Sequence, residues 1–219
     1  LVRHGQSEGN LANKRSRTGD DRDFTPAFRA RHSGQWRLTD KGITQAQAAA
    51  MWFKENISFR FDRAYVSEYI RAIETAFYLD LGLEWYIEFY LRERDWGQLD
   101  VLTDEERKKI FAEEMARKAK DPFLWAPAGG ESMSDTCLRV DRVLSTLHRE
   151  CSDKNVVIVC HGEVMQAFQV RLERITASRW REIDASKHPF DNIHNCQILQ
   201  YTRRCPSSES AERACGSSR

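Results

Sequence analysis

One stretch of the sequence reads Asn155-Val156-Val157-Ile158-Val159-Cys160-His161-Gly162. Its near-continuous apolar run is typical of a parallel strand that is buried on both faces of a sheet. A helix with apolar positions at helical spacing is predicted to run from Met133 toward this strand, and another helix is predicted from Val164 onward. A buried strand between two helices favours an α/β fold.

The same alternation of strands and helices continues toward both ends of the chain. We therefore predict a three-layer α/β/α sandwich with a mostly parallel sheet, formed by one domain over residues 1–204. Residues 205–219 are rich in Ser and contain almost no large apolar residue, so we expect a disordered tail. The further elements predicted are a helix over 39–56, a strand over 62–67 and a helix carrying Ile70, Ile73 and Phe77, then a strand over 86–91, a helix over 104–120 and a last strand over 196–201.

The overall charge excludes some classes of protein. The 219 residues include 34 basic and 33 acidic side chains, which argues against a protein that binds nucleic acid or a membrane surface. The sequence has no membrane-spanning apolar run and no signal-peptide pattern, so a cytoplasmic protein is expected. Because the first residue is Leu1 inside a strand pattern, we expect the natural chain to begin earlier, which leaves upstream targeting signals open. The six cysteines form no CxxC pair and are interpreted as reduced thiols, with Cys137 and Cys160 packed in the core.

The first ten residues, Leu1-Val2-Arg3-His4-Gly5-Gln6-Ser7-Glu8-Gly9-Asn10, carry the strongest chemical signal. An apolar strand ends there in a cation, an imidazole and a glycine, just before a predicted helix. Arg3 offers planar donors to phosphate oxygens, and free N–H groups at a helix start favour an anion. His4 is then a candidate nucleophile.

Two other strand ends carry matching residues. Residues 65–67 lead into a helix that contains Arg71, and the apolar run of 155–160 ends in His161-Gly162. Taken singly, Arg71 could be a surface ion-pair residue and His161 a buried structural histidine. In open α/β sheets, however, ligands bind outside the carboxyl ends of the strands, and we expect these residues to meet there around a phosphate group.

The combined motifs resemble the histidine phosphatase superfamily, also called the phosphoglycerate mutase-like family, over nearly the whole chain. The matching pieces, in the family's order, are Arg3-His4-Gly5 with Ser7 and Asn10, Leu38-Thr39 with Gly42, Ser67 with Arg71 and Thr75, Leu91-Arg92-Glu93-Arg94 with Gly97, Gly129-Gly130-Glu131-Ser132, and His161-Gly162.

This resemblance implies a role for each matching residue. His4 corresponds to the nucleophile that becomes phosphohistidine, and Glu93 to the carboxyl group that protonates the leaving oxygen and later activates water. The residues implied to hold the phosphate are Arg3, Arg71, His161, Gly162 and Asn10. Since cationic side chains and N–H groups can neutralise the equatorial oxygens, we predict neither a metal nor a cofactor. Arg92 and Arg94 would by themselves favour ionised Glu93, so its action as an acid requires burial or the charge of the phosphate.

Three functions fit this resemblance: a phosphatase, a cofactor-dependent phosphoglycerate mutase, and a non-catalytic phosphate-binding scaffold. In the mutase pattern a Tyr, a Gly and a Lys would stand where this chain has Trp96, Val101 and Asp104. Asp104 reverses a charge that carboxylate binding needs, so hydrolysis of a small phosphorylated substrate is favoured. The complete set of catalytic residues argues against the scaffold. A homodimer is left open.

Two departures from the family pattern stand out. Glu163 directly follows His161-Gly162, and its carboxylate would repel a phosphate unless the side chain turns away. The connection over 11–37 is long and basic, and long loops are often functional. One hypothesis is that this loop, with Arg15 and Arg17, covers the pocket together with the helix around 104–120 and selects the substrate; the alternative is a solvated insertion.

His188, Asp191, His194 and Cys196 are spaced unlike any compact zinc site and are interpreted as a loop, with residues 194–195 near the rim of the active site.

Overall fold

The computed structural model describes residues 1–186 and 188–202 and contains a four-stranded parallel sheet. All three strand pairings are parallel, which confirms the predicted sheet type. The strands stand in the spatial order β1-β4-β2-β3. Their bounds are β1 Val2–Arg3, β2 Arg63–Val66, β3 Trp85–Ile87 and β4 Val156–Cys160.

Helices connect and cover the strands, and several begin at a Ser or Thr whose hydroxyl accepts the N–H of the third helical residue, a standard N-cap. The helices are α1 Glu8–Ser16, α2 Pro26–Arg29, α3 Asp40–Asn56, α4 Ile70–Leu79, α5 Asp104–Ile110, α6 Ala112–Lys120, α7 Met133–Glu150, α8 Gly162–Leu172 and α9 Ala177–Ala185.

Each face of the sheet packs against its own helices, which confirms the three-layer sandwich. Successive side chains of a strand point to opposite faces, so β4 contributes to two separate cores. Ile158 and Cys160 pack with residues of α7 and α8, such as Phe168, while Val157 and Val159 pack with residues of α3 and α4. The central strand is thus buried on both sides, as its apolar run predicts.

The strand register brings the chemically active residues to one edge. Val159 of β4 pairs with Val2 of β1 and with Val66 of β2, so the three strands end at the same level. His4, Ser67 and His161 follow these three ends almost directly. The parallel sheet therefore gathers residues that are far apart in sequence.

The segment over 193–199 closes the outer edge of β1, but it does not form the predicted strand over 196–201. A single antiparallel bridge joins Val2 to Ile198, and the amino group of Leu1 donates to the carbonyl oxygen of Leu199. Cys196 has a positive φ of 57°, which turns the backbone out of the extended conformation. The prediction of a regular strand over 196–201 was therefore wrong.

Three other predictions need correction. The strand predicted over 86–91 ends at Ile87, and Phe89–Leu91 forms a 3₁₀ turn. The helix predicted over 104–120 is divided at Phe111 into α5 and α6. The apolar face assigned to α4 was also wrong, because Ile73 and Phe77 are exposed while its smaller residues are buried.

The remaining expectations meet the structure only in part. Cys137 and Cys160 are buried free thiols, as expected. Within the described ranges no helix is long and apolar enough to cross a membrane. The tail predicted over 205–219 lies outside the described residues.

Candidate active site

His4 lies directly after β1 and is almost completely buried. Its Nδ1 is 2.6 Å from the carbonyl oxygen of Gly5. Since a carbonyl oxygen can only accept, Nδ1 carries the proton and Nε2 carries the lone pair. Nε2 in turn accepts a hydrogen bond of 3.2 Å from Nε of Arg71. The nitrogen that carries the lone pair is therefore the one that faces the arginine.

The surroundings keep His4 neutral. Burial, followed by the positive charges of Arg71 and Arg3, lowers the pKa of His4 well below its ordinary value, and the bond to Gly5 opposes this only in part. A neutral imidazole has an available lone pair. His4 is therefore ready to attack an electrophile at neutral pH.

His161 lies beside His4, with the two ring centroids 5.0 Å apart in an edge-to-face arrangement. Nε2 of His161 is 2.7 Å from the hydroxyl of Ser67, which follows β2. Its Nδ1 is buried and has no hydrogen-bond partner among the described residues. Burial, Arg71, His4 and Arg3 lower the pKa of His161 well below its ordinary value. The prediction that the two histidines meet is confirmed.

Arg3 is largely buried, and its Nε has no partner within 1–186 and 188–202. Its Nη1 donates to the carbonyl oxygen of Ile193. The absence of a side chain at Gly162 makes room for this guanidinium, because a Cβ there would lie 3.3 Å from Nε of Arg3. Burial lowers the pKa of Arg3, and the nearby carboxylates of Glu93 and Glu163 oppose that effect.

Arg71 is also buried, at the first turn of α4. Besides His4, it contacts the carbonyl oxygen of Ser33, to which Nη1 donates at 2.6 Å. The guanidinium lies over the ring of Tyr69, 4.9 Å from its centroid. These contacts fix the planar group next to His4.

Asn10 reaches the same region from α1. Its amide oxygen accepts from the backbone N–H of Ser7 at 3.2 Å and from Nδ2 of Asn195 at 3.1 Å. Asn195 also donates to the carbonyl oxygen of His4 at 3.0 Å, so its predicted place at the rim is confirmed. With its oxygen committed to the protein, Asn10 offers a ligand the donor end of the amide.

Glu93 lies close enough to Arg3 and Arg71 for its charge to raise the pKa of both arginines. Its Oε1 accepts from the backbone N–H of Arg94 at 3.0 Å. The two flanking guanidinium groups turn away from it: Arg92 donates to the side chain of Glu131, and Arg94 donates to the backbone oxygens of Glu131 and Trp125. Both arginines therefore have hydrogen-bond partners other than Glu93, and their effect on its ionisation stays a prediction.

Glu163 turns toward the segment that carries Glu93. Its Oε2 accepts from Nε1 of Trp96 at 2.9 Å, and its Oε1 lies 3.4 Å from Nη1 of Arg94. That this carboxylate faces away from a bound phosphate stays a prediction.

Comparison with known proteins places this geometry in a family. The model of the histidine phosphatase superfamily (branch 1) matches residues 1–205. The chain belongs to the histidine phosphatase superfamily. The matched range includes all four strands and every residue of the site described above.

Similar proteins have two kinds of activity in their names. The 2,3-bisphosphoglycerate-dependent phosphoglycerate mutase of Nitrobacter hamburgensis is 34% identical over 80% of this chain and 81% of its own length. That of Methylobacterium radiotolerans is 31% identical over 82% and 80%. Among solved structures, a mycobacterial glucosyl-3-phosphoglycerate phosphatase complexed with VO3 has a TM-score of 0.67 and 25% identity, covering 89% of this chain and 87% of that one. A putative alpha-ribazole-5'-P phosphatase from Escherichia coli has a TM-score of 0.65 and 25% identity, covering 81% and 80%.

The long basic connection of this superfamily member contacts the site through its backbone. The carbonyl oxygen of Ser33 is the part of this connection that contacts Arg71, and sequence reasoning missed that contact. Arg15 donates to both carboxylate oxygens of Asp23 at 2.9 Å, and Arg17 is exposed at the end of α1. A role for Arg15 and Arg17 in substrate binding therefore stays a prediction. Four further arginines of the connection form ion pairs: Arg22 with Asp20, Arg29 with Glu106, Arg31 with Glu8, and Arg37 with Glu74.

The loop over 188–196 does not resemble a metal site. In the described part of the chain, no three His, Cys, Asp or Glu side chains are grouped so that they could hold a metal ion. His194 instead contacts the carbonyl oxygen of Pro189 at 2.8 Å.

Sequence reasoning also missed the buried anchor Arg94, although the pattern Arg92-Glu93-Arg94 contained a usable signal. In extended backbone, residues i and i+2 share a side while residue i+1 points to the other. Arg92 and Arg94 both donate to Glu131, whereas Glu93 accepts from the backbone N–H of Arg94.

Proposed function

We propose that this protein is a phosphatase that hydrolyses a small phosphate monoester through a phosphohistidine at His4, with Glu93 as proton donor. One observation carries the proposal: the buried Nε of Arg3 and Nδ1 of His161 have no acceptor within the described residues, and they flank a neutral imidazole. Leaving a buried polar group without a partner costs about 1–3 kcal/mol. A phosphate group supplies the missing oxygen acceptors.

The proposed reaction has two steps. Nε2 of His4 attacks phosphorus, the bond from phosphorus to the ester oxygen breaks, and the carboxyl group of Glu93 gives its proton to that oxygen. Water then attacks the phosphohistidine, Glu93 takes a proton from it, and the bond from phosphorus to Nε2 breaks to release inorganic phosphate. Arg3 and Arg71 neutralise the charge on the equatorial oxygens throughout.

Hydrolysis is favoured over the mutase reaction by the charges around the site. Asp100 lies near Arg71 and is largely buried, and burial raises its pKa. Asp104, which stands where the mutase pattern has a Lys, pairs with Lys108. The guanidinium of Arg107 is occupied by Asn13 and by the carbonyl oxygen of Leu99. A glycerate carboxylate would meet acidic groups and an occupied arginine here, so its binding is disfavoured.

The test combines turnover with trapping of the intermediate. Wild type, His4→Ala and the control His148→Ala, an exposed histidine of α7, are mixed with p-nitrophenyl phosphate and an alkyl phosphate, and then quenched. We expect phosphate release and an acid-labile adduct at His4 in wild type and in the control, and neither in His4→Ala. Transfer of the adduct to 3-phosphoglycerate in place of water would instead identify a mutase. Phosphate binding with neither adduct nor release would identify a scaffold.

A further inference from the structure

Glu163 belongs to a cluster with Glu93, Arg94 and Trp96 at the edge of the site. It is the second residue of α8 and follows His161 and Gly162 directly. Trp96 donates to one of its oxygens and Arg94 approaches the other, so both contacts fall on the segment that presents Glu93. Glu163 therefore links α8, the helix that follows His161, to the segment that contains Glu93.

Charged groups face Glu163 from several elements. Arg94 and Glu93 come from the segment before the 3₁₀ turn Gly97–Leu99, Lys118 comes from α6, and Arg3 comes from β1. Lys118 lies over the ring of Trp96, 4.6 Å from its centroid. Glu163 is thus the acidic partner of a mostly cationic environment.

Arg94 follows Glu93 directly, and its backbone N–H donates to Oε1 of Glu93. Its side chain is only 2% exposed, so water screens it poorly. Its other hydrogen bonds go to the backbone oxygens of Glu131 and Trp125, and it also lies over the rings of Trp96 and Trp125; none of these groups carries a formal charge. Within the described ranges, the one carboxylate recorded in an ion pair with Arg94 is that of Glu163.

We propose that Glu163 is a positioning residue that keeps Glu93 able to donate its proton, by neutralising Arg94 and by holding Trp96. This inference rests on the proposed phosphatase reaction. Without the negative charge of Glu163, the buried guanidinium of Arg94 would favour the ionised form of Glu93 and so remove the acid that protonates the leaving oxygen.

Burial, with a smaller contribution from the charge of Glu93, raises the pKa of Glu163 to about 7, against the opposing effects of Arg94, Trp96 and Lys118.

The test uses the dependence of the rate on the leaving group. An alkyl phosphate needs a proton on its departing oxygen, whereas p-nitrophenolate leaves without one, so only the alkyl ester depends on the acid. For Glu163→Gln we expect kcat on the alkyl phosphate to fall about tenfold, a part of the roughly 10²–10⁴-fold effect of a general acid. With p-nitrophenyl phosphate we expect less than about a twofold change, and the alkaline limb of the alkyl ester's pH profile should move to lower pH.

Two further variants show whether Glu163 acts through Glu93. In a background of Glu93→Gln, adding Glu163→Gln should cause no further loss on the alkyl ester, because the group it supports is gone. Glu163→Asp keeps the charge and should restore most of the activity, and it also serves if the glutamine variant does not fold. Glu182→Gln, on the exposed face of α9, is the control for a lost carboxylate.

The outcomes distinguish a failure of the role proposed for Glu163 from a failure of the proposed phosphatase function. Equal losses on both esters, no loss on either, or an additive loss in the double variant would overturn the role of Glu163. If wild type forms no adduct at His4, the phosphatase proposal fails first, and that result is obtained before any variant of Glu163 is compared.

Discussion

Replacing Thr75 with valine tests how the backbone that follows His4 is held in place. The hydroxyl of this fully buried residue accepts from the backbone N–H of Gly5 at 3.0 Å and donates to the carbonyl oxygen of Arg71 at 2.7 Å. Valine has a similar shape but can neither accept nor donate a hydrogen bond through its side chain. The carbonyl of Arg71 keeps its helical bond in α4, so the lasting loss is a buried N–H at Gly5 without an acceptor.

The expected loss of stability follows from that one group. An orphaned buried donor costs about 1–3 kcal/mol, which corresponds to a fall in Tm of about 2–12 °C for a chain of this length. Thr136→Val is the matched control, because Thr136 is equally buried and its hydroxyl also donates to a carbonyl four residues earlier, that of Ser132. No donor from the described residues is recorded on the hydroxyl of Thr136.

Urea unfolding of wild type and both variants measures the free energies, and unchanged m-values show that the unfolded states are comparable. We expect Thr75→Val to lose about 1–3 kcal/mol more than Thr136→Val. Equal losses in the two variants would refute the reasoning, since the hydroxyl would then matter only as a helix-backbone donor.

Three more outcomes are expected. Gly42→Ala should destabilise the fold by about 1–3 kcal/mol or more in thermal unfolding, because its new Cβ would lie 2.1 Å from the carbonyl oxygen of Gln6, and an unchanged Tm would contradict this. Thr103→Ala should lower the free energy of unfolding in urea by about 1 kcal/mol, because it removes the hydroxyl that accepts from the N–H of Glu106 at the start of α5. An unchanged free energy would contradict a contribution of this cap to stability. The pKa of Glu163 is raised from 4.5 to about 7, so between those values the unfolded chain binds fewer protons than the folded chain. The free energy of unfolding should therefore fall as the pH rises through that window. Glu163→Gln should reduce this fall, and an equal fall in wild type and variant would contradict the expectation.

The parts of the fold that depend on local pattern could be predicted from the sequence. The apolar run of β4 indicates a buried strand, and Thr39 and Ser132 indicate where α3 and α7 begin. Each of these signals depends only on residues that are close together along the chain. The site could be predicted for a related reason, since His4 and His161 each follow a strand end, and a parallel sheet brings such ends together.

The parts that depend on tertiary contacts could not be predicted. Ile73 and Phe77 have helical spacing, yet α4 turns its small residues Ala72 and Ala76 toward the sheet, because close packing selects small side chains there. Helical spacing alone does not tell which of two faces is buried.

Charge in the site also depended on partners that no local pattern reveals. Arg92 and Arg94 flank Glu93 in the sequence, but Glu131, from another part of the chain, accepts from Arg92 with its side chain and from Arg94 with its backbone oxygen. The effect of a charged neighbour on a side chain depends on the groups that the neighbour itself binds. Those groups are distant in sequence, so a local pattern does not reveal them.

The contact of Asn195 with the carbonyl oxygen of His4, across 191 residues, bears on how the enzyme is made. Domains fold while the ribosome still elongates the chain, with early segments emerging first. His4 is synthesised before the four strands are complete, but Asn195, which braces its backbone, is synthesised only after all four strands. A nascent chain that has not yet reached Asn195 therefore lacks this brace on the backbone of His4.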